Sequence, residues 1–260
     1  MNILVFVKMV PDSESKIKID HSQNRIDTEG LNFVMNPYDE YAVEEALQIK
    51  SSKGGMVQVV SVGPDGSIAT LKKALAMGAD EALLIKDEQR ETYDGLRTAK
   101  IIARAVKEKY ADYDLLLFGK QSIDTDNAQI PSMVAGLLDW PQVNIVTKLE
   151  LEEGSGAAFR EIEGAVEKVT FSLPAVISAQ KGLNEPRYET LKGIMAAKRK
   201  EVPVVSLQEL GIQESELESR LKLVKMSPPP TKEAGKQIEE EPEEAAKQLV
   251  RFLHDEAKII

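Results

Sequence analysis

The stretch Gly119-Lys120-Gln121-Ser122-Ile123-Asp124-Thr125-Asp126-Asn127-Ala128-Gln129 carries the chain's clearest capacity to hold a charged ligand. It follows the apolar run Leu115-Leu116-Leu117-Phe118 and precedes a helix-like run from Ser132 to Leu138. A strand, a glycine turn, a polar loop and a helix start, in that order, leave unpaired N–H groups and a positive dipole end facing outward. That arrangement suits a phosphate. Glycine lets backbone approach a ligand closely, and Asn127, Ala128, Gln129 and Ile130 would present N–H groups at the helix start. Asp124 and Asp126 repel a phosphate, so they fit capping N–H groups or reaching ribose hydroxyls. The stretch is not a P-loop, because Gln121 follows Gly119-Lys120 and the upstream glycine is missing. Nor does it contain the G-x-G-x-x-G dinucleotide fingerprint. The pattern argues for a nucleotide without saying which.

Other chemistries are narrowed by composition. There is no cysteine among the 260 residues, which excludes disulfides, thiolate metal sites and cysteine nucleophiles. His21 and His254 are the only histidines, so a histidine-based triad or multi-histidine zinc site is nearly excluded. A net charge of −10 argues against sequence-independent binding to nucleic acid. Apolar residues make up 42%, enough for a sizeable core. The start Met1-Asn2-Ile3-Leu4-Val5-Phe6-Val7 is too short and too soon charged for a signal peptide. No run approaches the roughly 18 apolar residues that span a bilayer. The expectation is a soluble, cytoplasmic bacterial protein without membrane insertion.

The elements that must position the loop alternate. Ile3 to Val7, Val57 to Val62, Ala82 to Ile85 and Leu115 to Phe118 read as buried strands. Between them Asp39 to Ile49, Ser67 to Met77 and Tyr93 to Lys109 read as helices, with Asp39 and Ser67 as N-caps and Gly78 as a stop. This predicts an α/β fold: a doubly wound, mostly parallel, Rossmann-like sheet with helices on both faces. Ligands in such sheets sit outside the carboxyl ends of the strands, where the loops at Lys8, Gly63 and Gly119 begin. Val143 to Leu151 and Val166 to Phe171 flank a Gly-Ser-Gly turn and predict a small antiparallel excursion. Leu173 to Ala179 then returns to the main sheet. The α/β domain is expected over residues 1–205, followed by an arm over 206–260. In that arm a proline linker, Ser227-Pro228-Pro229-Pro230, precedes an amphipathic helix with Ala245, Leu249 and Leu253 on one stripe. Its apolar face needs a cover, from its own domain or from another subunit.

Several stretches together resemble the β subunit of electron transfer flavoproteins. They are Leu4-Val5-Phe6-Val7-Lys8 with Val10-Pro11-Asp12, Met35-Asn36-Pro37-Tyr38-Asp39-Glu40, Val60-Ser61-Val62-Gly63-Pro64 and Ala74-Leu75-Ala76-Met77-Gly78-Ala79-Asp80. The series continues with the Gly119 loop and Leu183-Asn184-Glu185-Pro186-Arg187-Tyr188, running on through Thr190 to Lys198. The resemblance implies a heterodimer whose α subunit holds a redox-active FAD shared at the interface. The β subunit would hold AMP in a structural role, take electrons from flavoprotein dehydrogenases through that FAD, and pass them to a quinone-reducing acceptor. The chemistry would belong to the flavin, with this chain supplying orientation and docking.

Residue by residue, the resemblance puts Phe6 and Val62 beside the adenine; ordinary core packing explains their side chains equally well. Asn36, Pro37, Tyr38 and Asp39 match a loop bordering the nucleotide, with Tyr38 near the α-bound flavin. Gly119, Lys120, Gln121, Ser122, Ile123, Asp124, Thr125, Asp126, Asn127, Ala128, Gln129 and Ile130 match the phosphate side. Residues 179–201 match a partner-recognition loop, with Leu191 as its apolar anchor and Pro186, Arg187, Tyr188, Met195 and Lys198 around it. Leu191 and Met195, spaced i, i+4, could equally pack down on their own domain.

The loop departs from the AMP-binding pattern, which has Asn, Thr and Gly where this chain has Ala128, Ile130 and Pro131. Ala128-Gln129 instead matches an electron-bifurcating branch whose β subunit binds a second FAD and oxidises NADH. Against that branch, Asn127 stands where it usually has Thr, and Gly119-Lys120-Gln121 and Leu138-Asp139-Trp140-Pro141-Gln142 resemble the AMP type. A stand-alone adenine-nucleotide-binding protein is a third, remote alternative.

Overall fold

The computed structural model describes residues 1–20, 22, 24–88, 94–230, 235 and 237–260. The chain divides into two compact units, Met1–Met226 and Ser227–Ile260.

The first unit is built on a nine-stranded sheet. Its parallel strands include β1 (Asn2–Phe6), β6 (Met56–Gly63), β7 (Glu81–Lys86), β8 (Leu115–Gly119), β9 (Gln142–Leu151), β12 (Ala175–Ala179) and β13 (Val204–Ser206). Strands β10 (Ser155–Ile162) and β11 (Ala165–Ser172) extend one edge as an antiparallel pair. The order is β11-β10-β9-β12-β8-β1-β6-β7-β13. Strands β1, β8 and β12 are buried almost throughout and apolar apart from Asn2 and Ser178, because both sheet faces are covered.

Helices α1 (Pro37–Lys53) and α2 (Ile68–Met77) bury Val43, Leu47, Leu71 and Leu75 against one face, with Ile3, Val5 and Val59. On the opposite face, α3 (Gly95–Lys109) and α4 (Ile130–Leu138) bury Ile101, Ile102, Val106 and Val134 against Leu4, Val60 and Leu116. The sheet is therefore doubly wound, as its alternation predicts. From β1 the chain steps to β6 and β7 on one side, then crosses to β8 on the other. The strand order reverses between β1 and β8, the place where open α/β sheets hold ligands.

Several local expectations change. Asp39 does not cap a helix: Asn36 is the N-cap of α1 and Pro37 its first residue, the position where a missing N–H costs nothing. Ser67 occupies the N-cap of α2 without a side-chain cap, and Gly78 ends that helix at φ 131°. The expected helix start at Tyr93 lies outside the described residues; α3 is capped by Asp94, which accepts from the Leu96 N–H at 2.9 Å. Val143–Leu151 and Val166–Phe171 do not pair with each other, because β10 lies between them and pairs with both. Past residue 203 the chain adds β13 to the sheet edge, then buries Leu207, Leu210, Ile212 and Leu217 in the core beneath α3.

The segment Phe33–Met35 (β5) pairs antiparallel with Met9–Pro11 (β2), and Lys18–Asp20 (β3) pairs with Arg25–Asp27 (β4). The β2–β5 ribbon returns the chain to the carboxyl end of β1, where the Asn36 N–H donates to the Lys8 carbonyl at 2.9 Å.

Within the second unit, α6 (Pro242–Arg251) has Pro242 in its first turn and continues as a π-helical turn over Phe252–Glu256. Lys247 pairs with Glu244 at 2.7 Å one turn back. None of the residues of α6 is buried. Among the described residues no helix is long and apolar enough to cross a membrane.

Candidate functional site

The β1–β8 switch point gathers three segments of distant sequence around two side chains. Asp39, in the first turn of α1, is buried at 6% exposure. Its carboxylate accepts from the Lys8 N–H at 2.7 Å, the Asn36 Nδ2 at 2.8 Å and the Gly119 N–H at 3.2 Å. Burial pushes this carboxyl up to about 7, partly offset by those donors and by the Lys8 charge. Asn36 donates from Nδ2 to the Gln121 carbonyl at 2.8 Å and accepts from the Ile123 N–H at 3.2 Å. Asp39 therefore ties together the ends of β1 and β8, while Asn36 shapes the loop that follows.

Gly119 is required for a reason its position after a strand did not reveal. A Cβ there would collide with the Asp39 carboxylate and with Tyr38. The glycine admits the head of α1. Lys120 is held by its N–H donating to the Ala179 carbonyl of β12 at 2.8 Å, and its ammonium lies 5.8 Å from the Tyr38 ring centre. Beside that contact β9 and β12 slip register, and Ile145 adopts φ 64° with its N–H on Ser178 Oγ at 3.0 Å. A β-branched residue in that region is strained.

The rest of the loop is cross-braced. Lys8 Nζ donates to both oxygens of Asp124 at 2.7 and 2.8 Å and to Ser122 Oγ at 3.3 Å. Burial tends to raise the Asp124 carboxyl, but the Lys8 charge and hydrogen bonds outweigh it and hold the group low. Gln121 Nε2 donates to Asp126 at 2.6 Å, and the hydroxyls of Ser122 and Thr125 are 3.0 Å apart. Asp126 and Ala128 take left-handed φ values of 51° and 50°, which turn the chain sharply before α4. Asn127, Ala128 and Gln129 are exposed. Among the described residues no acceptor takes their N–H groups. Ile130 opens α4 and packs on the second core cluster. One acidic side chain of the loop is thus neutralised by Lys8, and N–H groups at a helix head stay available to an anion.

The other expected site residues are spread around this centre. Phe6 is buried and stacked on Phe118, ring centres 4.7 Å apart. Val62 packs half-buried on the same cluster. Pro37 is exposed and Tyr38 half-buried at the head of α1.

The segment after β12 is held by the same α1. Thr190 caps α5 (Leu191–Arg199) by accepting from the Gly193 N–H at 3.0 Å. Tyr188, Leu191 and Met195 point outward, at 95%, 78% and 50% exposure, so they do not pack down on their own domain. Ile194 and Ala197 face inward instead. Lys198 is exposed. Pro186, Arg187 and Tyr188 line a cavity of about 270 Å³ with Pro37, Glu40, Tyr41 and Lys73. Arg187 pairs with the buried Glu44, Nε to Oε2 at 2.7 Å and Nη2 to Oε1 at 2.9 Å. Sequence reasoning missed Glu44 as a partner, since 143 residues separate the two and α1 reads as an ordinary charged helix.

The architecture defines an open, doubly wound α/β protein whose loops converge at the switch point. A family model described as the electron transfer flavoprotein domain matches residues 23–210. The electron transfer flavoprotein subunit beta of Bacillus subtilis is 41% identical over 261 residues, covering 100% of both chains. The subunit beta of Syntrophomonas wolfei is 37% identical, covering 100% of this chain and 98% of that one. The mouse subunit beta is 40% identical over 92% of this chain and 93% of its own. The chain belongs to the electron transfer flavoprotein family, among its beta subunits, and its place is in electron transport.

Proposed function

We propose that this chain pairs with an α subunit carrying FAD, holds AMP at the β1–β8 switch point, and relays electrons from flavoprotein dehydrogenases toward a quinone-reducing acceptor. The observation that carries the nucleotide reading is the braced loop after β8. Asn36 and Asp39 fix its start, Lys8 neutralises Asp124, and the N–H groups of the exposed Asn127 to Gln129, leading into α4, meet no acceptor among the described residues. A phosphate there meets backbone donors and a helix dipole without an uncompensated Asp124. With Ala128 and Ile130 in place of polar side chains, backbone groups carry that contact.

FAD would supply the electron chemistry from the α subunit, and Tyr38, half-buried at the exposed head of α1, would lie nearest to it. Residues 186–198 would dock the dehydrogenase through the outward face of Tyr188, Leu191 and Met195. Large exposed apolar side chains, with the exposed Lys192, Lys198 and Arg199 on the same helix α5, fit an apolar pocket with an acidic rim. The arm beyond Pro230 would cover the apolar stripe of α6 against the α subunit.

The test is to co-express both subunits, denature the purified heterodimer and quantify the released nucleotides. One FAD and one AMP per heterodimer support the reading. Two FAD and no AMP overturn it in favour of the bifurcating type, with redox chemistry at the β site.

A further inference from the structure

The exposed face at residues 186–198 sits on a segment fastened along its length. At its start, Asn184 Nδ2 donates to Glu45 at 2.9 Å and to the Tyr41 carbonyl at 3.0 Å. Next, Arg187 is gripped by Glu44 through two side-chain bonds and by its own N–H at 3.2 Å. In α5, Gly193 lies so close to the Ala76 carbonyl of α2 that a Cβ would collide with it. At the far end, Lys72 of α2 donates to the Ala197 carbonyl at 2.8 Å.

Of these fastenings the Glu44–Arg187 pair has the most to lose. Glu44 is 4% exposed, whereas the Arg187 side chain lies at the surface, 43% exposed. Burial alone would raise the Glu44 carboxyl, yet hydrogen bonds from Arg187 and Gln48 hold it below the ordinary range. A bidentate carboxylate–guanidinium pair fixes orientation as well as distance. It also means that Arg187 has its charge answered inside the chain. Tyr188 follows directly, and Leu191 begins α5 one turn on.

We infer that Glu44 is a positioning residue for electron-donor docking: through Arg187 it sets the path of residues 186–190 and so the placement of Tyr188 and Leu191. Arg187 acts here as an internal strut rather than a steering charge for the partner. The inference rests on the reading that residues 186–198 dock a dehydrogenase. Preorganisation of this kind lowers the ordering cost of association and leaves the flavin alone.

The experiment uses the heterodimer with its α subunit and a flavoprotein dehydrogenase that reduces the unaltered protein. Glu44→Ala raises the KM for the heterodimer about tenfold with little change in kcat. Arg187→Ala does the same, and the double variant is no worse than either, because one strut has been removed in each case. Flavin content and photoreduction stay unchanged, while amide exchange over residues 184–190 speeds up. Glu44→Gln, which keeps the volume and loses the charge, moves KM the same way by about threefold if Glu44→Ala fails to fold. Leu191→Ala separates the two readings. If it leaves KM unaltered, the docking reading falls and this inference with it. If it raises KM while Glu44→Ala and Glu44→Gln do not, the positioning role alone is overturned. Multiplying effects of Glu44→Ala and Arg187→Ala also overturn it, since Arg187 would then meet the partner by itself.

Discussion

Asn36 and Gln121 are 85 residues apart in the chain, yet the Asn36 amide donates to the Gln121 carbonyl at 2.8 Å. The same side chain takes the Ile123 N–H, so a single amide pins the loop after β8 at two points. Asn36→Ala leaves a carbonyl and an N–H without their partner, at a cost of about 1–3 kcal/mol. The expected outcome is a lower urea midpoint with unchanged helix content, and a heterodimer that loses its bound nucleotide on gel filtration. A variant that keeps the nucleotide at full stoichiometry would show that the loop holds its shape without Asn36.

Gly119→Ala probes the same junction from the strand side. The added methyl meets the Asp39 carboxylate and Tyr38, both anchored by α1, so neither can give way cheaply. Overpacking of this kind costs about 1–3 kcal/mol. Thermal unfolding of the variant is expected several degrees lower. Combining it with Asp39→Ala, which opens space beside the methyl, is expected to recover part of the Gly119→Ala loss.

Asp39 gives the fold a pH dependence of definite sign. Its carboxyl is raised from 3.8 to about 7 by burial, so the folded state binds this proton more tightly than the unfolded chain does. The stability it contributes is present below the unfolded value and lost as pH rises through about 7. Glu44, Asp94 and Asp124 are shifted the other way and their contributions run oppositely. The informative quantity is therefore the stability of the wild type minus that of Asp39→Asn, from urea unfolding between pH 4.5 and about 8. This difference is expected to fall as pH rises. A rising difference would mean that the N–H donors from Lys8, Asn36 and Gly119 favour the charged form over burial.

The sheet and its winding were legible because parallel strands covered on both faces must read as unbroken apolar runs, as in Ile3–Phe6 and Leu115–Phe118. Strand β10 was not: Ser155-Gly156-Ala157-Ala158-Phe159-Arg160-Glu161-Ile162 has small residues and charges where alternation should be, and its neighbours on both sides define it. At the site, the course of the loop after β8 was legible from strand, glycine and helix start. The role of Asp39 was not, since a carboxylate two residues past Asn36-Pro37 reads locally as a cap. Two of its donors are remote in sequence, the Lys8 N–H 31 residues back and the Gly119 N–H 80 residues on, and the latter is brought near by the placing of β8 beside β1. Glu44 was hidden for the same reason.

Arg97 offers a test of why the first unit extends past residue 205. It is buried in α3, with Nε and Nη2 on the two Asp87 oxygens at 3.0 and 2.9 Å and Nη1 on Glu214 at 2.7 Å. A weaker bond reaches the Leu217 carbonyl at 3.4 Å. The guanidinium thus clips the segment carrying Leu210, Ile212 and Leu217 to the end of β7. Removing the guanidinium takes two charge-assisted hydrogen bonds from the buried Asp87 carboxylate, and loss of one member of a buried ion pair costs about 3–5 kcal/mol. Arg97→Met keeps most of the volume, so the loss it causes is electrostatic. Expected are a marked drop in the urea midpoint and faster proteolytic cleavage between residues 207 and 226, with the sheet's circular dichroism retained. Asp87→Asn with Arg97→Met restores part of the loss, because the buried negative charge that the guanidinium had balanced is then gone. If the double variant is no more stable than Arg97→Met, the clip acts through Glu214 and Leu217 rather than through Asp87.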